Sequence, residues 1–350
     1  VTARRTPRLI AETTYSEVFH LPGDSDYCVI TFSEHGLRAN GRDFWGWSML
    51  ADLGIEAIGV VAREPHWFPQ ADFLDYAEAI RAIAAASGKA LIGYGYSMGA
   101  YAAVKYAAAL RLDLVLAYAP LWSIAPEDLT EFRTDWSKDH DPALHGGMAI
   151  TRQDIGPNAR LIIFADPCDR QEAFHIARIR AEAAHAALIP IRHAGHYIIQ
   201  ALAGRDLFQT ILNLCMQAQT DFKRDLSVLC NRAKRRSDFY WYVLGERLHE
   251  RNHPRWYAQA VEHAASEWPS SVALLLHLGR LRSAQGDYTR MSEAMARAAA
   301  LEPDNPHIFG WWGAFARDFG HREEALGHFK RAYRMAPGFT HLEAWIAALS

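Results

Sequence analysis

The sequence predicts a two-part chain, a doubly wound and mostly parallel α/β sheet followed by an all-helical repeat domain. Three observations carry this. Short apolar runs alternate with helical stretches from residue 27 to about 200. Beyond about residue 205 the strand signal stops and the remaining patterns have helical spacing. Within that helical part Pro269, Pro303 and Pro337 recur at a constant interval of 34 residues. A chain of 350 residues also has the length of about two domains.

The apolar runs are 27–32 (YCVITF), 55–61 (IEAIGVV), 90–94 (ALIGY), 112–118 (LDLVLAY), 160–165 (RLIIFA) and 187–191 (ALIPI). They are nearly continuous rather than alternating, as in strands buried on both faces of a parallel sheet. Between them, stretches such as 71–86 repeat Phe73, Leu74, Ala77, Ile80, Ile83 and Ala84 at helical spacing, and Gly88 suits the helix's C-terminal cap. Strand–helix–strand order implies right-handed crossovers. The first domain is expected over 1–219 and the second over 220–350. The basic stretch 223–236, with Arg224, Arg232, Lys234, Arg235 and Arg236, lies where the two would join and reads as a solvated helix face.

Composition excludes several classes. Half the residues are apolar and 22% charged, so the chain is globular rather than disordered. A net charge of −3 and basic residues without interleaved aromatics argue against nucleic acid. Cys28, Cys168, Cys215 and Cys230 are too scattered for a disulfide framework or a zinc site and read as free thiols in a reducing, cytoplasmic setting. No 18-residue apolar run exists to span a membrane. The basic opening lacks the apolar segment of a signal peptide, and Val1 in place of Met suggests a trimmed or incomplete N-terminus.

The segment 90–103, ALIGYGYSMGAYAA, runs from an apolar strand through Gly95-Tyr96-Ser97-Met98-Gly99 into an alanine-rich helix. A serine on so sharp a turn projects clear of the sheet edge, and the flanking positions two residues away need glycine to avoid collision. The following helix aims its first amides at the same place. This G-x-S-x-G in its strand–turn–helix context resembles the nucleophile elbow of the α/β-hydrolase superfamily, over residues 20 to about 215. The resemblance implies a Ser97 nucleophile, then an acid, then a histidine, each just after a late strand. The strand 160–165 is followed by Asp166 and Asp169, of which Asp169 is the expected acid and Asp166 the alternative. The strand 187–191 is followed by His193 and His196, of which His196, after Gly195, is the expected base. The pair lacks the glutamate and third ligand of a zinc motif, so neither metal nor cofactor is called for.

The same resemblance implies an oxyanion hole from the Met98 amide and one amide of the loop 32–36, Phe32 or Ser33. Many family members have His-Gly there; this chain has Phe-Ser. Trp45, Trp67 and Trp122 fall in loops that should surround Ser97, and suit an apolar acyl group or a stacked sugar ring. The roughly 40 residues between the fourth and fifth strands, with Trp136, His140 and His145, could form a small lid. The implied activity is a serine hydrolase acting on a small-molecule ester or thioester through an acyl-enzyme. The alternatives are acyl transfer to a sugar or other alcohol, and a silent scaffold.

In the helical part, Gly245, Gly279 and Gly313 precede the three prolines by 24 residues, and Ala264, Ala298 and Ala332 precede them by five. Small residues where two helices cross, and a proline closing the second, resemble the tetratricopeptide repeat. The repeats are 238–269, 272–303 and 306–337, with 341–349 as a capping helix. The first departs from the pattern with Tyr257 where alanine is usual and Asn252 at the turn. The resemblance implies docking of a protein partner or a second copy of the chain.

Overall fold

The structure, a computed structural model, describes residues 5–130, 135–217, 221–338 and 340–349. Its contacts divide the chain into two units, 1–234 and 235–350. The first contains an eight-stranded sheet in the order β1-β2-β4-β3-β5-β6-β7-β8. The strands are β1 (Arg8–Glu12), β2 (Ser16–Leu21), β3 (Tyr27–Phe32), β4 (Glu56–Ala62), β5 (Ala90–Tyr96), β6 (Leu114–Tyr118), β7 (Arg160–Ala165) and β8 (Ala187–Pro190). The helices of this unit are α1 (Trp47–Asp52), α2 (Gln70–Ser87), α3 (Met98–Lys105), α4 (Arg152–Ile155), α5 (Arg170–Glu182), α6 (Ile198–Ala201), α7 (Arg205–Gln217) and α8 (Phe222–Lys234). A 3-10 turn spans Asp135–Asp139.

The sheet is mixed. β2 is antiparallel to both neighbours, β1 and β4, and the other neighbouring pairs are parallel. The apolar-run criterion finds β3 to β8 but not the hairpin β1–β2. β2 opens with Ser16 and Glu17, polar yet buried, because distant groups satisfy them. Ser16 Oγ donates to Asp72 at 2.6 Å, and Glu17 pairs with Arg63 at 3.0 Å. Helices cover both faces. A side chain on Gly93 would point at Ala103 of α3, whereas the next residue, Tyr94, lies 4.7 Å from Phe208 of α7. The registers Thr31↔Tyr94, Tyr96↔Tyr118, Tyr118↔Phe164 and Ala165↔Pro190 bring the carboxyl ends of β3, β5, β6, β7 and β8 to one edge. In parallel α/β sheets that edge is where ligands bind.

The expected division at 219/220 falls on residues outside the described set, and the basic segment after it is not a linker. α8 packs on the first unit: Leu226 and Cys230 are fully buried, and Lys234 Nζ donates to the Arg192 carbonyl at 2.6 Å. Its basic residues Arg224, Arg232, Arg235 and Arg236 are exposed, as a solvated helix face requires, and Lys234 is the buried exception.

The second unit is helical and resembles tetratricopeptide repeats. It pairs α9 (Asp238–Glu250) with α10 (Pro254–Glu267), α11 (Val272–Ala284) with α12 (Tyr288–Leu301), and α13 (Pro306–Asp318) with α14 (Arg322–Met335), then adds α15 (Thr340–Leu349). Ala264, Ala298 and Ala332 are completely buried. The turn residues Asn252, Gly286 and Gly320, spaced like the prolines, have φ of 55°, 74° and 83°. That left-handed conformation favours glycine and tolerates asparagine, which explains the Asn in the first repeat. The period also recurs in contacts, Arg297 to the Pro269 carbonyl and Arg331 to the Pro303 carbonyl.

Among the described residues no helix is long and apolar enough to cross a membrane, and no cluster of His, Cys, Asp and Glu is placed to hold a metal ion. The four cysteines are unpaired with one another.

Candidate active site

Ser97 sits between β5 and α3 with φ 53° and ψ −118°. For a residue with a Cβ this is a strained conformation, costing about 1–3 kcal/mol, that the surroundings must hold. They do. The Ser97 amide donates to the Tyr118 carbonyl of β6 at 2.9 Å, and the Ser97 carbonyl accepts from the Tyr101 amide at 2.9 Å. Both flanking glycines are obligatory: a Cβ on Gly95 would lie 2.4 Å from the Gly99 backbone, and one on Gly99 would lie 2.2 Å from the Phe32 carbonyl oxygen. Tyr96 fills the position between, 6% exposed.

His196 Nε2 lies 2.9 Å from Ser97 Oγ. Its other nitrogen, Nδ1, lies 2.6 Å from Glu172 Oε1. A carboxylate accepts only, so Nδ1 carries the hydrogen and Nε2 presents its lone pair to the serine hydroxyl. Ser97 is 2% exposed and Glu172 4%. Burial pushes the Glu172 carboxyl up, aided by Asp169 and Asp166, while His196 pulls it down; the net direction is up. His175, one turn further along α5, is driven down to about 4 by burial and by the neighbouring His196, and its Nδ1 accepts the Trp122 amide at 3.1 Å. It is therefore neutral beside the pair.

The carboxylate expected at His196 is that of Asp169 or Asp166, whereas the one bonded to its Nδ1 is that of Glu172. Asp169 is the N-cap of α5, where its Oδ1 accepts the amides of Gln171 and Glu172 at 2.9 and 3.1 Å. Asp166 is completely buried and accepts the amides of Cys168 and Gly195, each at 2.9 Å. It ties the loop after β7 to the loop carrying His196, and so acts on the backbone of the site. Between the two histidines, His196 faces Ser97, while His193 sits at φ 63° in the preceding turn.

Of the amides expected around an oxyanion, that of Met98 opens α3 and has no acceptor within the helix. The Ser33 amide is already committed, donating to the Val60 carbonyl at 2.9 Å. Phe32 is the last residue of β3, in register with Val60, with its carbonyl against Gly99. β3 thus ends where the apolar run ends, the Ser33 amide still bonds to β4, and the next amide in the loop is that of Glu34.

The three tryptophans expected to line the site do other work. Trp45 packs on Tyr94 at 4.7 Å, on the face covered by α7. Trp67 is fully buried, its Nε1 donating to Asp139 at 3.2 Å. Trp122 donates from Nε1 to the Ile150 carbonyl at 2.9 Å and stacks under Arg178. The tryptophan beside the site is Trp136, whose ring centroid lies 5.8 Å from that of His196. It belongs to the segment between β6 and β7, of which residues 147–149 are fastened to α3. Lys105 Nζ donates to the carbonyls of Gly147 and Ala149, and Tyr101 Oη to that of Met148.

No protein-family pattern matches the chain, and no curated protein matches it in sequence. Solved structures are similar in part. A capsule O-acetyltransferase of Neisseria meningitidis serogroup A matches 58% of this chain and 93% of its own, at 14% identity and a TM-score of 0.41. A glycosylation-associated protein complex from Streptococcus agalactiae matches 60% and 46%, at 14% identity and a TM-score of 0.44. A TPR protein of Thermus thermophilus matches 41% and 77%, at 20% identity and a TM-score of 0.31.

Proposed function

We propose that the chain is a serine acyl-transfer enzyme of the α/β-hydrolase kind, acting on an ester through an acyl-enzyme. The single observation that carries this is the chain of contacts Ser97 Oγ–His196 Nε2 and His196 Nδ1–Glu172 Oε1 at a strained turn on the carboxyl edge of the sheet. Serine alone is a weak nucleophile and needs a base held in one tautomer. In this reading Ser97 Oγ attacks the carbonyl carbon as Nε2 takes its proton. The oxyanion lies against the Met98 amide, with the second donor drawn from the loop after β3. The tetrahedral species then collapses, breaking the bond to the alcohol oxygen, which leaves with the proton from Nε2. Water, or a second alcohol, attacks the acyl-enzyme with His196 again as base. The acid is Glu172, an alternative the superfamily order Ser, Asp/Glu, His allows. A buried carboxylate with a raised pKa is best satisfied when the imidazole is charged, so the pair strengthens in the transition state.

The test is covalent labelling with a fluorophosphonate probe. The folded chain should be labelled on Ser97 and the Ser97→Ala variant should not. A wild-type chain that is folded and unlabelled would overturn the reading. The repeat unit fits the docking role for a protein partner or second copy: α13 and α15 leave an apolar cavity of about 270 Å³ walled by Trp311, Leu342 and Trp345.

A further inference from the structure

Acyl transfer fixes where each half of a substrate must lie. This inference rests on the roles just given to Ser97 and His196. The carbonyl oxygen turns towards the Met98 amide, while the alcohol oxygen must come within hydrogen-bond reach of His196 Nε2, which returns its proton. Side chains around the imidazole therefore meet the alcohol half and not the acyl chain.

Three aromatic rings surround that imidazole: Tyr96, Tyr197 and Trp136, with centroids 5.5, 5.7 and 5.8 Å away. Tyr96 is buried, Tyr197 is 49% exposed, and Trp136 is half-buried. Trp136 is also braced from behind. His35 lies 4.7 Å and Trp67 6.3 Å from its ring, and Asp139 accepts from both, at 2.9 Å from His35 Nε2 and 3.2 Å from Trp67 Nε1. An indole already held in place loses little freedom when something stacks on it.

We propose that Trp136 is a specificity-determining residue for the alcohol half of the substrate, and that this half is a sugar ring. One face of a pyranose is a patch of C–H bonds with slight positive charge, which complements the negative face of an indole or phenol. The rim of the same ring is hydroxyls, which need polar partners, and the half-exposed Tyr197 beside the imidazole carries one such group, its phenol. A linear alkyl alcohol presents no such flat C–H face to the ring.

The experiment uses the full chain and two readouts. The first is the rate of fluorophosphonate labelling at Ser97 with methyl glucoside, galactoside and mannoside as protectants, and cyclohexanol and sorbitol as controls. At least one pyranoside should slow labelling of the wild type, the controls should not, and Trp136→Ala should lose the protection while Trp136→Phe keeps most of it. The second is kcat/KM on an acetylated methyl pyranoside and on ethyl acetate. Trp136→Ala should lower the first roughly tenfold and leave the second within about threefold. Protection by no pyranoside, equal protection in wild type and Trp136→Ala, or equal protection by cyclohexanol would overturn the proposal. So would a parallel loss on both esters, the mark of a merely structural residue, and Trp136→Leu, which fills space without a flat ring and should behave as the alanine variant, keeps that comparison available if Trp136→Ala does not fold. An unlabelled wild type would instead overturn the nucleophile reading beneath it.

Discussion

His196 must donate from one nitrogen and accept at the other, and the residue that enforces this is Glu172. Glu172→Gln keeps the size but offers an amide in place of a pure acceptor, so the imidazole can settle in the wrong tautomer. Turnover, or the fluorophosphonate labelling rate, should fall by about 10²- to 10⁴-fold with little change in unfolding midpoint. Asp169→Ala should do the reverse: it removes a helix cap, lowers stability by about 1 kcal/mol, and leaves labelling nearly intact. If Asp169→Ala abolishes labelling in a folded protein and Glu172→Gln does not, the assignment of the acid is wrong. The sequence carried a signal for this. Asp169 and Glu172 stand at the spacing of an N-cap and the third helical residue, so the aspartate was already committed to the helix. The glutamate, one turn in, was left to face the edge of the sheet. The superfamily pattern, which places the acid a few residues into the loop after this strand, points instead to Asp169.

Glycines mark the close approaches between elements, and they are not all alike. Gly279 and Gly313 hold corresponding places in successive repeats. A Cβ at Gly279 would meet Met295 Sδ at 2.8 Å, the movable end of a flexible chain. At Gly313 it would meet the Phe329 ring at 2.6 Å. That ring is fully buried and packed 5.0 Å from Trp345. Gly313→Ala should therefore cost about 1–3 kcal/mol through overpacking. Gly279→Ala gains up to about 1 kcal/mol in helix propensity, which offsets the methionine's shift, and should end near neutral. Urea unfolding of the two variants measures the difference, and equal losses would refute it. Elements whose own residues carry their burial, such as β3 to β8 and the repeat helices, are legible from pattern alone. β2 is not, because Ser16 and Glu17 become buried only through partners far along the chain, Asp72 and Arg63. The contacts of Trp45, Trp67 and Trp122 were not legible for a related reason: an aromatic in a loop near the sheet edge can also pack on the core, and only the fold gives its partners.

At the scale of the whole chain, the boundary between units follows burial and not charge. α8 is basic by composition, yet Leu226 and Cys230 bind it to the sheet unit. Each unit also carries a histidine kept neutral in its interior. His175 lies under the candidate site and His277 between the first two repeats, where its Nε2 donates to the Tyr242 carbonyl at 3.1 Å. Burial draws both from 6.5 down to about 4. The sign follows from proton counting. Between pH 6.5 and about 4 the unfolded chain binds a proton on each that the folded chain refuses, so stability is held above pH 6.5 and lost on acidification, with no further loss from these groups below about pH 4. Each contributes a slope of about 1.4 kcal/mol per pH unit across that window. In the sheet unit the raised carboxyl of Glu172 works in the opposite direction, so the repeat unit is where the effect reads cleanly. Hydrogen exchange of the α11 and α12 amides at pH 7 and pH 5, corrected for intrinsic rates, should show the repeat unit opening more readily at the lower pH. The His277→Gln variant, whatever its starting stability, should show a shallower dependence. His328, also drawn down by burial, leaves a residual slope. A wild-type repeat unit equally protected at both pH values would mean that His277 is protonated where it sits.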